Sequence, residues 1–439
     1  MWKESIDRNF FILALILMIV GLNFGVLAVH SYTNPGLWKE SLGFVKLRPL
    51  HVSTMLFWIL TGATGAVFYG MKNLGLPIRY PLLARLQLML WVIPIAGVFY
   101  SYFNGKFGGR EYWEFPKEWS LFILAAWLLM VVNYFSSIWK LKSPPVLYLD
   151  VGNRYCFFLF IFIENYLWVI PYFRENFIRD TIVQWKANGS LVGCWNQMIY
   201  GAAIYLMERI SGDKSVAQSK LTFGMYFLGL FNLMFNWSHH IYTLPTAPYI
   251  RYIGYAVSMT EWVILLRIIS NFKASLSESR KHLHYYSYRF LLAADLWVFL
   301  NLFMALLMSI PAINLYTHGT HITVAHAMGT TIGINTMILL AVIFDAVHVQ
   351  KDAGKISGWL RSWFYLVQLS LLVFWISLIG AGVKKAIIQM QELDVPHSKM
   401  MLQLQPWFHV FSWSGAFLML ALAALAIILV KRLLISKRT

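Results

Sequence analysis

The sequence predicts an all-α integral membrane protein with about twelve transmembrane helices, and three observations support that prediction. The chain has 439 residues, of which 59% are hydrophobic and 13% are charged, and its mean hydropathy is +0.60. Apolar runs of about 20 residues, the length that crosses the hydrocarbon core of a bilayer as a helix, recur along the chain. Lys and Arg residues concentrate in alternate loops between these runs. This composition excludes an ordinary soluble domain.

The predicted spans follow one another with no soluble domain, internal repeat or low-complexity tract between them. They lie at residues 10–30, 50–71, 82–103, 119–138, 154–173, 183–207, 218–242, 247–269, 287–310, 320–345, 361–383 and 405–430. We therefore expect residues 1–439 to form one transmembrane domain in contact with membrane lipid. The first run is long and lacks a small-residue cleavage site, so we expect no cleavable signal peptide.

Charge predicts the orientation of the chain in the membrane. Well over half of the 36 Lys and Arg residues lie at the two termini and in the loops after even-numbered spans. The positive-inside rule then places both termini in the cytoplasm. We attribute the net charge of +17 to this bias, and we expect no nucleic-acid partner because no basic stripe lies on a soluble domain.

Four histidines lie at the ends of predicted spans. His51 begins the second span, His239 and His240 end the seventh, and His326 lies in the first turns of the tenth. With both termini in the cytoplasm, all four fall in the outer part of the membrane. Imidazoles are costly in hydrocarbon unless something binds them, so this cluster predicts a buried metal or haem site.

The cysteines and the carboxylates limit the chemistry of that site. Both cysteines, Cys156 and Cys194, lie inside predicted spans, so a disulfide framework and a CxxCH haem attachment are excluded and any haem is bound noncovalently. The intramembrane carboxyl groups belong to Glu164, Glu261 and Asp295. Each is a candidate for a proton path or a site, and the alternative is a hydrogen-bonded packing role.

The order of the motifs along the chain resembles that of a known family. The matching segments are Leu47-Arg48-Pro49-Leu50-His51, Gly109-Arg110-Glu111-Tyr112, Trp237-Ser238-His239-His240, Ser258-Met259-Thr260-Glu261, and Thr317-His318-Gly319-Thr320 followed by Ala325-His326. In this order and on this topology they resemble the large subunit of bacterial nitric oxide reductase, within the haem–copper oxidase superfamily. The resemblance covers most of the chain and implies a helical bundle like that of oxidase subunit I.

The resemblance implies a set of cofactors and their ligands. His51 would be an axial ligand of a low-spin haem b, and His326 the proximal ligand of a high-spin haem b. His239 and His240 would bind a nonhaem iron or copper facing that second haem.

Three further residues receive roles from the resemblance alone. Glu111 matches a glutamate that helps to hold a calcium ion near the haem propionates, and Arg110 could pair with a propionate. Glu261 matches a carboxylate near the nonhaem metal that serves proton delivery.

The resemblance also implies an activity and its partners. The activity would be respiratory reduction of nitric oxide to N2O in the bacterial inner (cytoplasmic) membrane. Electrons would come from a cytochrome c-type subunit or from quinol. The chain lacks the N-terminal extension of quinol-type members, which leads us to expect the cytochrome.

The first departure from the family concerns the nonhaem metal. The family places a third histidine ligand on the sixth span, four residues before a glutamate, and the matching positions here are Gly189 and Gly193. Residues 52–238 contain no histidine at all. A substitute ligand would have to come from Cys194, Asn196, Gln197 or Glu261, and a Cys-plus-two-His set would suit copper better than iron.

The second departure concerns the low-spin haem. The family reads His-x-His in the tenth span, and this chain reads His326-Ala327-Met328. We expect Met328 to replace the second histidine and to raise the reduction potential, because a thioether favours ferrous iron. The alternative is that Met328 is a packing residue.

These departures leave several functions open at this stage. The leading hypothesis is a nitric oxide reductase with a modified dinuclear centre. The main alternatives are dismutation of nitric oxide to N2 and O2, and a noncatalytic haem subunit that carries electrons or binds gas after loss of its metal site. A terminal oxidase of the cbb3 type is also open by kinship within the superfamily, and a transport function is weaker.

Overall fold

The computed structural model describes residues 6–76, 78–139, 146–212, 224, 235–260, 285–347, 358–391 and 394–435, and within these ranges all regular structure is helical. The α-helices are α1 (Ile6–Thr33), α2 (Lys39–Leu42), α3 (Phe44–Asn73), α4 (Pro81–Phe103), α5 (Glu118–Ile138), α6 (Val146–Glu164), α7 (Pro171–Arg174), α8 (Phe177–Ser211), α9 (248–260), α10 (Tyr285–Ser309), α11 (Pro311–Thr317), α12 (His321–Met328), α13 (Met337–Ala346), α14 (Gly358–Gln391), α15 (His397–Gln403) and α16 (Gln405–Ile435). Two 3-10 helices (Leu167–Val169 and Asn236–Ile241) and one π-helix (Gly329–Thr336) complete the set.

Eight helices in the described part of the chain are long and apolar enough to cross a membrane. They are α1, α3, α4, α5, α10, α14, α16 and the continuous helix His321–Ala346. The all-α membrane fold is thereby confirmed, and the count of twelve spans stays a prediction. The span predicted at 154–173 coincides with the shorter apolar helix Tyr155–Val169, and that at 183–207 lies in α8, which is long enough but does not meet the apolar criterion. The spans predicted at 218–242 and 247–269 extend outside the described residues.

Burial separates a central pair of helices from a lipid-facing ring. The most apolar part of α3 is 89% buried and that of His321–Ala346 is 78% buried, whereas α1 and α16 reach only 39%. Helix α1 packs against α3 and α16, and α13 packs against α10 and α8. The two central helices are those that carry His51 and His326, so both candidate haem ligands lie in the middle of the bundle.

Local signals set the ends of the helices that hold the site. Asn176 caps α8 by accepting a hydrogen bond from the backbone N–H of Arg179, at 3.1 Å. Thr320 caps α12 in the same way from the N–H of Ile322, at 3.2 Å. Because the cap at Thr320 fixes where α12 begins, it fixes the position of His326 two turns later.

A π-helix follows directly after the candidate ligands of α12. A Cβ atom at Gly329 would lie 2.2 Å from Asn301 Oδ1, and a Cβ atom at Gly333 would lie 2.5 Å from Trp297 Cγ. Only glycine at these two positions lets α10 pack this closely against the π-helix, and the wider π-helical turn accommodates the contact. Single π-helical turns inside α-helices are frequent at functional sites.

A buried ion pair joins three helices at the end of the bundle opposite the histidines. Asp345 on α13 is fully buried, and its Oδ2 accepts a hydrogen bond from Tyr69 Oη at 2.6 Å on α3. Arg209 Nε on α8 lies 3.2 Å from the same oxygen, and its guanidinium sits 5.8 Å from the centre of the Tyr69 ring. Three helices are therefore linked through one carboxylate.

Asp345→Asn should destabilise the bundle by about 3 kcal/mol, because it leaves the Arg209 guanidinium partly buried without its carboxylate. Tyr69→Phe is the matched control, since it removes only the hydroxyl and its neutral hydrogen bonding while the ion pair stays, and it should cost about 1 kcal/mol. Thermal unfolding of the detergent-purified variants measures both. Equal melting temperatures for D345N and the unmodified protein would show that the ion pair does not hold the helices together.

Candidate functional site

Three of the histidines predicted from the sequence come together in the structure. His239 and His240 lie in the 3-10 helix Asn236–Ile241, with ring centres 4.2 Å apart. His326 on α12 lies within electrostatic range of His240. Nδ1 of His240 is buried without a hydrogen-bond partner among the described residues, and so is Nδ1 of His321 outside the cluster. Buried polar atoms are rarely left in this state, so the His240 nitrogen, next to a second imidazole, is a candidate position for a ligand.

Two residues that the sequence analysis did not assign complete this cluster. The indole of Trp185 on α8 stacks on the His240 ring, with centres 4.7 Å apart and planes 11° apart. The His318 ring lies 6.0 Å from that of His240 and 6.1 Å from that of Trp185. Burial lowers the pKa of His318 below its ordinary value, so its imidazole is neutral at pH 7. His318 belongs to a motif quoted for the resemblance, but its contact with His240 has no signal in the sequence.

The structure explains why no side chain occupies position 189. A Cβ atom at Gly189 would lie 2.8 Å from Trp237 Cβ and 3.1 Å from Trp237 Cα. The backbone of the 236–241 segment therefore fills the space that a ligand at this position would need. A histidine at position 189 is therefore absent from the sequence and would also have no room in this packing.

The candidate substitute ligands are buried, hydrogen-bonded to another residue, or outside the described residues. Asn196 Oδ1 accepts a hydrogen bond from Asn335 Nδ2 at 2.7 Å. Cys194 is fully buried in the apolar core, and Gln197 is buried as well. Glu261 lies outside the described residues, so its role stays a prediction. In the described ranges no three His, Cys, Asp or Glu side chains are already arranged around a metal position.

His51 is oriented as a haem ligand requires. Its Nδ1 lies 2.7 Å from the backbone carbonyl oxygen of Gly21, so this nitrogen must donate and Nε2 is left as the lone-pair nitrogen. A Cβ atom at Gly25 would lie 2.7 Å from the His51 ring, so the imidazole can pack this closely against α1 only because residue 25 is glycine. This arrangement fits axial ligation of a haem through Nε2.

Met328 lies at the C-terminal end of α12, immediately before the π-helix. Its side chain is partly buried and packs against the main apolar core. The position is compatible with either expectation from the sequence, ligation or packing, and Met328 as a haem ligand stays a prediction.

The Gly-Arg-Glu-Tyr motif forms a tight turn that presents charged groups. Trp113 N–H donates to the Arg110 carbonyl at 2.9 Å, and Tyr112 has a φ of 69°, which is strained for a residue with a side chain. A Cβ atom at Gly109 would lie 1.6 Å from the Trp113 carbonyl oxygen, so only glycine fits there. Strained turns of this kind are typical of functional sites.

Both charged residues of that turn already have protein partners. Arg110 pairs with Asp180 at 3.0 Å, and its guanidinium lies 4.7 Å from the Trp168 ring centre. Glu111 pairs with Arg48 at 3.3 Å. Burial raises the pKa of Glu111 above its ordinary value, and Arg48 opposes that rise. A guanidinium thus balances the carboxylate that was predicted to hold calcium, and both the calcium ion and the propionate contact stay predictions.

The intramembrane carboxyl group of Glu164 also has a partner. It forms an ion pair with Lys186 on α8, which joins α6 to α8. This supports the packing alternative for Glu164 over a role in the histidine site. Asp295 is buried on α10.

Comparison with known proteins identifies a family that the sequence matches. Residues 5–418 match the family described as Cytochrome C and Quinol oxidase polypeptide I. A nitric oxide reductase subunit of Stutzerimonas stutzeri is 22% identical over 422 residues, which cover 88% of this chain and 85% of that protein. Cytochrome c oxidase subunit 1 of Rhodobacter capsulatus is 22% identical over 391 residues, which cover 82% and 70%.

A solved structure supports the same fold. The cryo-EM structure of a haem–copper terminal oxidase dimer matches with a TM-score of 0.72 and 15% sequence identity, covering 99% of this chain and 84% of that chain. The family match extends over nearly the whole length, and the central helices of the bundle carry the histidines of the expected motifs. The chain therefore belongs to the haem–copper oxidase subunit I family.

Proposed function

We propose that this membrane oxidoreductase acts on nitric oxide, reducing two NO molecules with two electrons and two protons to N2O and water. The observation that carries the proposal is the cluster around His240, whose ring lies 4.2 Å from that of His239 and 6.0 Å from that of His318 and stacks on Trp185, with His326 nearby. The motifs around His51, Arg110 and Glu261 and the similarity to a nitric oxide reductase subunit favour this substrate within the family. The proposed setting is the bacterial inner membrane.

The cofactors follow from the residues that fit them. We assign a low-spin haem b to His51 and Met328, and a high-spin haem b to His326. A nonhaem iron or copper would be held by His239 and His240. When bound, the high-spin haem and this metal would supply the electrons and hold both NO nitrogens side by side, which removes much of the entropic barrier to N–N bond formation.

Protein groups around the cluster would orient its imidazoles, exclude water and deliver protons. The Gly21 carbonyl fixes the tautomer of His51, and Trp185 holds the plane of the His240 ring. The buried helices α3 and α13 exclude bulk water from the centre of the bundle, so protons must arrive through specific groups. Glu261 is the proposed proton-delivering residue, and a cytochrome c-type subunit or quinol is the proposed electron donor.

One observation favours a second candidate function. The Trp237 backbone occupies the space next to Gly189, so the usual third ligand position is closed. If no metal binds at His239 and His240, the chain would be a noncatalytic haem subunit that transfers electrons or binds gas.

The stoichiometry of haem b, iron and copper per purified chain separates these functions. The proposal expects two haems plus one further iron or copper, together with N2O production from NO in the presence of a ferrous cytochrome donor. Two haems without the extra metal and without NO turnover would favour the noncatalytic subunit. Release of O2 from NO without a reductant would instead indicate dismutation.

His326→Ala should remove the high-spin haem while the protein remains inserted in the membrane. The matched control is His321→Ala, because His321 packs against Tyr32 and Phe408, on the side of the bundle formed by α1 and α16. The measurement is the CO-difference spectrum of purified protein. H326A should lose the CO-binding haem and H321A should keep it, and normal CO binding by H326A would refute the assignment.

Met328→His should lower the midpoint potential of the low-spin haem, because an imidazole stabilises ferric iron better than a thioether does. Potentiometric titration of the low-spin absorption band measures the change, with Met328→Leu as the variant that removes the sulfur and keeps the bulk. A midpoint potential that is the same in all three proteins would mean that Met328 is a packing residue.

A further inference from the structure

Two arginines from different helices meet at one tyrosine on the surface of the bundle. Arg289 lies in the first turns of α10, and its Nη1 donates to Tyr365 Oη on α14 at 3.0 Å. Arg361, one helical turn before Tyr365, also donates a hydrogen bond to that hydroxyl. The Cζ atoms of both arginines lie 5.8 Å from the centre of the Tyr365 ring. Two positive groups from two helices are therefore held against one neutral oxygen.

This arrangement favours the binding of an anion. Within the part of the chain that the structure describes, Arg361 contacts Tyr365 and forms no ion pair with a carboxylate. Like charges at this separation repel each other, and an anion between them relieves the repulsion. Guanidinium groups match the geometry of phosphate oxygens and bind them with pairs of hydrogen bonds. Because the Tyr365 oxygen accepts from both arginines, its own O–H remains available to donate to such an anion.

The position of these side chains matches that of lipid headgroups. Helices α10 and α14 both begin at the end of the bundle that the charge distribution places in the cytoplasm. Trp359, in the first turn of α14, is 74% exposed, and exposed indoles are typical of the membrane–water interface. Tyr365 is itself 49% exposed. A phosphate group at the surface of the bilayer can therefore reach all three polar side chains.

Each helix continues from this point as an apolar strip on its surface. Residues three or four positions apart share one face of a helix. The exposed residues at this spacing are Leu296, Phe299 and Phe303 on α10, two turns beyond Arg289, and Leu369, Leu372 and Ile376 on α14, beyond Tyr365. A molecule with a charged head and apolar chains fits this sequence of surfaces.

Large side chains hold the two strips side by side. Trp297 Nε1 on α10 donates to Gln368 Oε1 on α14 at 3.0 Å. The Trp297 ring lies 5.8 Å from that of Trp375, and the Phe290 ring lies 5.1 Å from that of Phe364. These contacts join α10 to α14 over several turns, so both strips extend from the same pair of arginines.

We propose that Arg289, Arg361 and Tyr365 bind the phosphate group of an anionic phospholipid, with its acyl chains along the two apolar strips. Basic pockets between transmembrane helices on the cytoplasmic side are typical binding places for such headgroups. The two positive charges favour an anionic lipid over a zwitterionic one, whose own cation offsets its phosphate. This inference goes beyond the proposed function and is independent of the chemistry at the histidine site.

The test compares Arg361→Gln with Arg79→Gln in the full-length protein. Arg79 precedes α4 at the same side of the membrane, and its guanidinium lies 5.5 Å from the Tyr80 ring centre. The control therefore also removes one arginine–tyrosine contact. After removal of native lipid, native mass spectrometry measures the binding of added phosphatidylglycerol and phosphatidylcholine. R361Q should bind phosphatidylglycerol roughly fivefold more weakly, and R289Q/R361Q roughly twenty-fivefold. R79Q should bind it as the unmodified protein does.

A competition experiment identifies the source of the phosphate group. Inorganic phosphate and glycerol phosphate carry no acyl chains. Both should compete with phosphatidylglycerol at least roughly a hundredfold more weakly than the lipid itself, because burial of acyl CH₂ groups adds to lipid binding. Competition as strong as that of the lipid would indicate a site for a soluble phosphate and would overturn the lipid assignment.

Two other results would also overturn the proposal. One is equal affinity of R361Q and the unmodified protein for phosphatidylglycerol. The other is an unmodified protein that does not prefer phosphatidylglycerol to phosphatidylcholine. Arg361 is exposed in the first turn of α14, so lipid-free R361Q should keep the melting temperature of the unmodified protein. The single variant R361Q decides the question if the double variant does not fold.

Discussion

The contact between the 236–241 segment and helix α8 at Gly189 determines the form of the histidine site. With only a hydrogen atom at this position, the Trp237 backbone approaches the helix closely and carries His239 and His240 with it. One turn earlier on α8, Trp185 meets the His240 ring face to face. The same packing that excludes a ligand from α8 therefore positions the two histidines. The closed position at Gly189 and the placement of the two histidines are therefore consequences of a single contact.

The rest of the bundle is organised by hydrogen bonds between buried polar groups. The bilayer core supplies no water, so each such group gains from a partner within the protein. The pairs Asn196–Asn335, Trp58–Thr336 and Asn301–Thr330 join helices that are distant in sequence. Nδ1 of His240, by comparison, is buried without a hydrogen-bond partner among the described residues. An unpartnered nitrogen inside a group of imidazoles is the kind of position where a ligand is expected.

The sequence predicts those features that depend on local composition. The spans expected at 82–103 and 119–138 correspond to helices Pro81–Phe103 and Glu118–Ile138, since a run of apolar residues between turn-forming or charged residues determines both ends. The grouping of His239, His240 and His326 was also predictable, because topology and orientation put them at one depth. The stacking of Trp185 on His240 and the approach of His318 were not predictable, because they join segments far apart in the chain. The π-helix after Met328 had no signal either, since it depends on packing against α10.

The two departures from the family would both raise a reduction potential at the proposed centre. If Met328 replaces an imidazole as proposed, its thioether would stabilise ferrous haem and raise the reduction potential, which would make that haem a weaker electron donor. Electron transfer to the second site stays favourable only if the potential of that site rises as well. Neutral imidazoles from His239 and His240, with glycine at position 193 where the resemblance implies glutamate, would leave less negative charge beside the proposed metal. Less negative charge favours the more reduced metal, so the second potential also moves upward. In the proposed arrangement the carboxylate-free metal site would therefore offset the rise in potential that a Met328 ligand gives the low-spin haem.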